Sequence, residues 1–331
     1  MTTSPGPLVC TGASGFVGSE VVRQAVERGL AVRGVVRAPS PAVAGATFCL
    51  ADLADLGALR AAFAGAGVVV HAAALAHVFD RRRENSALFE VVNVVGTANV
   101  VQAAVTCGVP HVVLISSVAV YGGGSDVDED APCRPAGAYA VSKWRAEQQA
   151  LEIAGAAGVS LTTLRLATVY GEGDRGNVER LIHTLDRGRF AWIGDGRNRK
   201  SLIHREDAAA ALLLAAAGPP VRPAVYNVAG PPCSMREIVD TLCRALGRRA
   251  PPRVVPAWVA RPIARAVLRL TGGRGTVGAL GTAVTKWLAD DAYSGARFAA
   301  AFGFRTRVGL TEGLTREVAW YRGERARAGR A

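Results

Sequence analysis

Apolar residues along this chain follow two alternating rhythms. Short strand-like runs at 8–10, 31–36, 47–50, 68–70, 112–115, 161–165 and 225–229 have the length of strands buried on both faces. Between them, at about 17–29, 55–64, 86–107, 138–157, 176–188 and 206–217, apolar positions recur at helical spacing. The alternation predicts an α/β class fold, a doubly wound parallel sheet covered by helices on both sides. Such sheets bind ligands at the carboxyl ends of their strands. After Gly171 the rhythm loosens: 188–200 reads as loop, and 231–281 is broken repeatedly by Pro and Gly. A smaller lobe over the sheet is expected there.

Composition narrows the class. The chain has 331 residues and is 50% hydrophobic, ample for a packed core. No apolar run approaches the ~18–20 residues that cross a bilayer. The longest, Ala208–Ala217, is alanine-rich, follows Glu206-Asp207 and reads as a buried helix, so no membrane span is expected. The first residues, MTTSPGP, lack a basic segment followed by an apolar one, and the six cysteines show no metal-type or redox-type spacing. A cytoplasmic location fits these features. The formal charge of +12 comes almost wholly from arginine. Arg81-Arg82-Arg83, Arg248-Arg249 and the tail from Arg322 lack the interleaved aromatics of a nucleic-acid surface. They read as a solvated face, with a minority free to serve an anionic substrate, and no nucleic acid partner is expected.

Two motifs carry chemistry. Thr11-Gly12-Ala13-Ser14-Gly15-Phe16-Val17-Gly18 joins the first strand to the first helix. Gly12 permits the tight turn, Gly15 removes a Cβ that would block a pyrophosphate, Gly18 lets helix and strand approach, and the helix N-terminus offers free N–H groups. The second motif is Tyr139-Ala-Val-Ser-Lys143, four residues apart on one helix face. An ammonium beside a phenol favours the ionised phenol, lowering a pKa normally near ~10 into the range useful for proton transfer.

Further matches follow in order: Asp52-Leu53, His71-Ala72-Ala73-Ala74, Asn93 opening Asn-Val-Val-Gly-Thr-Ala-Asn, Ser116-Ser117-Val-Ala-Val-Tyr121-Gly, and Arg165-Leu-Ala-Thr168-Val-Tyr-Gly171. The series resembles the extended short-chain dehydrogenase/reductase family, in its NAD-dependent epimerase/dehydratase branch, over nearly the full length. The resemblance implies a Rossmann domain of 1–170 to which 201–229 returns, and a substrate lobe of 171–200 and 230–331. It implies catalysis by Ser117, Tyr139 and Lys143, with Ser116 as rival to Ser117. Cofactor contacts are implied for Gly12, Ser14, Gly15, Phe16, Val17, Gly18, Asp52, Leu53, His71, Ala72, Ala73, Asn93, Tyr139 and Lys143. Asn93 either supports a relay water by distorting its helix or is purely structural, and Asp52 either meets adenine or caps the helix near Asp55. His71 is expected to shape backbone rather than titrate; His77, His183 and His204 are expected to be structural. Substrate contacts are implied for Ser117, Tyr121, Thr168, Asn177, Arg199 and Lys200, and a homodimer is expected.

The second strand ends in Val35-Val36-Arg37 and lacks the acid that usually binds the adenosine ribose in NAD-preferring folds. Arg37, with Arg33, could pair with a 2′-phosphate. NADP(H) is therefore favoured, with NAD(H) left open. Ala-His-Val after His-Ala-Ala-Ala, Asn-Arg-Lys-Ser-Leu-Ile-His at 198–204 and Val-Thr-Lys at 284–286 resemble enzymes of nucleotide-sugar pathways. They imply a UDP-sugar whose diphosphate meets Arg199 and Lys200, with hydride transfer at C4 in a 4-ketoreductase or a 4-epimerase. Thr168 stands where the family often has Asn, and the Arg-Arg-x-Gly-Asp pattern of many such epimerases is absent from 260–300. A sterol- or flavanol-type alcohol dehydrogenase and a non-catalytic cofactor sensor are the other readings; the Tyr/Lys pair argues against the second.

Overall fold

A computed structural model describes residues 6–39, 43–76, 83–218, 224–250, 254–272 and 275–328. His77, Arg81 and Arg82 lie outside the described residues. Seven strands form one all-parallel sheet: β1 (Leu8–Thr11), β2 (Val32–Val36), β3 (Ala46–Leu50), β4 (Val68–His71), β5 (His111–Ser117), β6 (Ser160–Leu166) and β7 (Ala224–Val228). Their spatial order is β3-β2-β1-β4-β5-β6-β7. The direction of winding reverses between β1 and β4, which pair in register from Leu8 opposite Val68 to Thr11 opposite His71. That reversal opens a crevice at the carboxyl ends of the two strands.

Period-two alternation divides each strand between two cores. Leu8 and Cys10, Val68 and Val70, and Val113 face the helices Phe16–Glu27 and Arg205–Ala217. Val9, Val69, Val112 and Leu114 face Leu56–Phe63, Gly96–Thr106 and Ala138–Ala157. The alanine-rich helix Arg205–Ala217 is buried, as its composition suggests: small side chains let it lie close against the sheet. One stretch departs from expectation. The continuous helical segment Ser86–Thr106 is 21 residues long and apolar enough to cross a membrane by length and composition, but half of it is buried in this fold.

A third core fills the later part of the chain, where Ile182, Phe190, Trp192, Leu242, Leu314 and Tyr321 pack together. The helices of this region include Met235–Ala245, with a full capping box between Ser234 and Glu237, and Leu310–Ala328. Ala257–Thr271 and Gly275–Leu288 are also helices, in a segment where Pro and Gly predicted breaks. Glu317 sits fully buried here and accepts the Gly171 N–H at 3.0 Å. Burial, with Asp174 close by, pushes its carboxyl up to about 9.

Candidate active site

The glycine turn is shaped by close backbone approach. Gly12 has φ +67°, and a Cβ there would lie 2.6 Å from the Ala73 nitrogen; a Cβ on Gly18 would lie 2.1 Å from the Gly12 carbonyl oxygen. Either side chain would force β1, β4 and the first helix apart. Gly15 is the N-cap of Phe16–Glu27, makes no side-chain cap, and no acid follows in the first turn. Ser14 and Gly15 are exposed. The first helical N–H groups and the positive end of the helix dipole therefore lie at an exposed turn without a side-chain cap, which fits a dinucleotide pyrophosphate. Phe16 and Val17 contribute backbone there, since the Phe16 ring lies under the Arg205 guanidinium at 5.0 Å and Val17 packs against the core.

Behind the turn, a neutral histidine ties strands to helix. His71 Nδ1 is 2.7 Å from Thr11 Oγ1 and its Nε2 is 3.0 Å from Thr97 Oγ1. Burial first, and the Lys143 charge second, push its pKa down to about 3. His71 thus shapes backbone and does not titrate near neutrality. The Ala72 N–H donates to the Thr11 carbonyl at 3.2 Å, fixing the segment that faces Gly12.

On the other wall stand Ser117, at the end of β5, and Tyr139 and Lys143, on Ala138–Ala157. The Ser117 hydroxyl accepts the Ala119 N–H at 3.2 Å and lies close enough to the Tyr139 phenol to lower its pKa, and the phenol ring meets Phe89 edge-on at 6.0 Å. Ser116 is otherwise engaged, donating to the Glu147 carboxylate, so of the two serines Ser117 is the one facing the phenol. The lowering of the phenol pKa expected from Lys143 is not seen in this structure. Burial raises the Tyr139 pKa, with Ser117 pulling downward. Lys143 turns its ammonium onto the Ile115 carbonyl at 2.6 Å, and burial pushes its own pKa down to about 8, against the nearby Glu147.

Asn93 lies in a wide π turn, Glu90–Val95, inside the helix that follows β4. Its amide accepts the Leu75 N–H at 2.8 Å, donates to the Leu75 carbonyl at 3.0 Å, and donates to Ser142 Oγ at 3.0 Å. Ser142 donates in turn to the Tyr139 carbonyl. The side chain therefore fastens the His71–Leu75 segment to the Tyr139 helix, while the helix around it is distorted as expected.

A buried network missed by sequence reasoning underlies this wall. Arg165, in β6, donates to both carboxylate oxygens of Glu147 at 2.7–3.2 Å and to the Tyr121 hydroxyl at 2.8 Å; Tyr121 donates to Asn227 at 2.8 Å. Arg165 and Glu147 are each 4% exposed. The signal was present: Glu147 is four residues beyond Lys143 on the same helix, and Arg165 interrupts an apolar strand. Tyr121 is thereby tied into the core and stacked on Tyr293 at 5.9 Å.

Toward the sheet edge, Arg37 follows the last residue of β2, is exposed, and has no hydrogen bond or ion pair among the described residues. Arg33 cannot assist it. Four residues back along the strand, roughly 13 Å away, Arg33 donates to the Ala62 and Ala64 carbonyls. Asp55, not Asp52, caps the helix Leu56–Phe63. Asp52 is exposed and accepts the Ala54 N–H, while the Leu53 carbonyl accepts Asn99 Nδ2.

In the lobe, Lys200 is spent: its ammonium reaches Asp291 at 2.6 Å and the Ala289 and Lys286 carbonyls at 2.9 and 3.1 Å. Three acceptors thus occupy its three protons. Arg199 is half-exposed and pairs with Asp126 at 3.1 Å. It lines a cleft of about 430 Å³ with Gly230, Tyr293, Gly295 and Arg305, which takes in none of Ser117, Tyr139 and Lys143. Thr168 is half-buried on Thr168–Tyr170, and Asn177 is exposed at the start of Asn177–Asp186. His204 is buried, with its ring edge-on to Tyr170.

The sequence profile of the NAD dependent epimerase/dehydratase family matches residues 8–229. The chain belongs to that family. As a member it is an NAD(P)-dependent enzyme of the epimerase, reductase and dehydrogenase type. It is 32% identical over 251 residues to the N-acetyl-alpha-D-glucosaminyl-diphospho-ditrans,octacis-undecaprenol 4-epimerase of Escherichia coli O157:H7, covering 74% of each chain. It is 31% identical over 263 residues to the 4-hydroxy-2-methyl-3-oxo-4-farnesyl-3,4-dihydroquinoline-1-oxide ketoreductase of Stigmatella aurantiaca, covering 77% of each. Among solved structures, MoeE5 in complex with UDP-glucuronic acid and NAD superposes with a TM-score of 0.77 at 30% identity. The match covers 96% of this chain and 100% of that one.

Proposed function

We propose that this enzyme moves hydride at a sugar carbon, C4, of a diphosphate-linked sugar such as a nucleotide-sugar, with Ser117, Tyr139 and Lys143 as its catalytic residues. The observation that carries the reading is the placement of Ser117, at the carboxyl end of β5, beside Tyr139, two strands along the sheet from the glycine turn that follows β1. Relatives that act on a diphospho-undecaprenol sugar or bind UDP-glucuronic acid support the substrate class. The nicotinamide, when bound, supplies or accepts the hydride. Tyr139 Oη gives a proton to the sugar oxygen in reduction and takes it in oxidation. Ser117 Oγ holds that oxygen. Lys143, charged below about pH 8, leaves the Ile115 carbonyl to hold the cofactor ribose and to lower the phenol pKa. Gly12 to Gly18 hold the pyrophosphate, with Asp52 on the adenine side and His71, Ala72 and Ala73 along the cofactor's length.

The free guanidinium of Arg37 favours NADP(H) and hence 4-ketoreduction. The relatives named for epimerisation favour the 4-epimerase as second reading. In this reading residues 1–170 with 201–229 carry the cofactor, and 171–200 with 230–331 carry the substrate, where Arg199 is the remaining cation for the diphosphate and Thr168 and Asn177 meet the sugar nucleotide. Exposed Leu88, Val91, Val95, Val141 and Leu151 on neighbouring helices support a homodimer. Six free cysteines support a reducing, cytoplasmic setting. The test is cofactor balance with UDP-4-ketosugars and UDP-hexoses. One-for-one NADPH consumption identifies the reductase. Retained NAD with interconversion of C4 epimers and no net absorbance change identifies the epimerase, and neither outcome on any such sugar rejects the substrate class.

A further inference from the structure

The helix Ala257–Thr271 has one covered face and one bare face. Ala260 and Ala264 are buried, and the facing helix Gly275–Leu288 comes so close at Gly281 that a Cβ there would lie 3.1 Å from Val267 and 3.3 Å from Leu268. Trp287 anchors this pair of helices to the lobe, donating from its indole to the Ile193 carbonyl at 3.1 Å and packing on Phe190 and Trp192. The opposite side stands in solvent. Leu270 is 87% exposed, Trp258 79% and Ile263 58%, with Val277 of the second helix at 60%. Leu270 and Trp258 are the two barest large apolar side chains among the described residues.

The exposed side has two arcs. At 3.6 residues per turn, Pro262, Ile263, Ala266 and Leu270 fall within about 100° of one another, and Arg261, Arg265 and Arg269 within an adjoining ~80° that also holds Trp258. Between Asp240 and Asp290 the sequence has eight arginines, one lysine and no acidic residue. An apolar strip beside a row of arginines, with a tryptophan among them, is what a helix lying in a bilayer interface requires. A second copy of the chain would set arginines against arginines across a two-fold contact. Acidic phospholipid headgroups meet both arcs at once, the phosphates the arginines and the acyl boundary the apolar strip.

We propose that Ala257–Thr271 docks the enzyme on a membrane surface carrying acidic phospholipids, with Ile263 and Leu270 in the acyl boundary and Arg261, Arg265 and Arg269 at the phosphate level. This goes beyond the proposed reaction and holds whichever sugar the crevice accepts. Pro262 adds to the fit: lacking an N–H, it leaves the Trp258 carbonyl without its helical donor on the exposed side, where headgroups and water satisfy it.

The test is vesicle flotation of the full chain on phosphatidylcholine alone and on phosphatidylcholine with phosphatidylglycerol, at low and high salt. The wild type is expected to bind the acidic vesicles at least tenfold more tightly, with the preference falling as salt rises. Trp258→Glu with Leu270→Glu should abolish binding to both. Arg261→Gln with Arg265→Gln and Arg269→Gln should weaken acidic-vesicle binding about a hundredfold, from roughly 1 kcal/mol per arginine. Because the substituted side chains are exposed and have no hydrogen bond or ion pair among the described residues, both variants should unfold close to the wild-type temperature. A measure without introduced charge is the blue shift of indole emission on vesicle addition, lost in Trp258→Phe. Equal binding to neutral and acidic vesicles, no vesicle-induced shift, or binding that survives both sets of substitutions overturns the proposal. So does loss of self-association in sedimentation in place of loss of vesicle binding, which would make the face a contact between copies.

Discussion

The two halves of this enzyme treat their polar groups differently. At the carboxyl ends of β1, β4 and β5, hydroxyls, imidazole and charges are joined to one another before any ligand arrives: Thr11 to His71 to Thr97, and Ser116 to Glu147 to Arg165 to Tyr121. In the later lobe, the cations that resemble substrate ligands are either consumed internally, as Lys200 is by Asp291, or held on the surface, as Arg199 is by Asp126. The reaction wall is preorganised by its own interior. The lobe keeps its adaptable surface outside, where it can diverge without disturbing the chemistry.

If that contrast is right, the largest effect comes from the wall itself. Tyr139→Phe should reduce kcat by ~10²–10⁴-fold, the range of general acid–base groups, while cofactor affinity stays within a few-fold in titration calorimetry. Retention of more than about a tenth of wild-type turnover would mean that the phenol is not the proton carrier.

The interior network should dominate stability. Glu147→Ala leaves the Arg165 guanidinium buried and unpaired, and loss of one partner of such a pair costs about 3–5 kcal/mol. Arg199→Ala, at an exposed pair, should cost under about 1 kcal/mol. Denaturant titration of the two variants side by side tests the contrast, and equal losses would erase it.

Much of the wall was legible because its determinants are local. The glycine spacing of the turn, the four-residue interval from Tyr139 to Lys143 and the period-two strands all lie within a few residues of sequence. Ser117 and Ser116 were separable only by where Glu147 lies, thirty-one residues from Ser116. The fate of Lys200 depends on Asp291, ninety-one residues away, so its resemblance to a diphosphate ligand could not reveal that it was already paired. Pro262 and Gly272 read as interruptions, yet Pro262 is tolerated inside a helix whose outer face is open, and Gly272 takes the left-handed cap with φ +56°.

A smaller, selective effect belongs to the cofactor edge. Arg37→Ala should weaken NADPH binding ten- to a hundredfold, from ~1.5–3 kcal/mol for a charge-assisted contact, and leave NADH nearly unchanged. Equal losses for both cofactors would remove Arg37 from that role.

A pH-dependent effect reads the lobe core. Glu317 is held protonated up to about pH 9, whereas an unfolded glutamate ionises near ~4.3. Between those values the folded chain binds the extra proton. The stability is therefore fully present below the ordinary glutamate value and is lost as pH rises toward 9. Tm should fall by several degrees across that window, and Glu317→Gln should flatten the slope; an unchanged slope would show that another group sets it.

The wide turn at Glu90–Val95 has a consequence for register. A π turn holds one residue more than the α-helical turns around it, so the helix on its amino side is rotated by about 100° relative to an uninterrupted helix. Phe89, which meets the Tyr139 ring, lies just before that turn, and Asn93 lies within it. Deleting one residue there, such as Val91, would let the helix run straight at no cost in hydrogen bonds, yet swing Phe89 away from the phenol. The aim of the tyrosine thus rests on a surplus residue in a neighbouring helix, and substitutions that preserve every side chain of the wall could still misalign it by changing only the length of that turn.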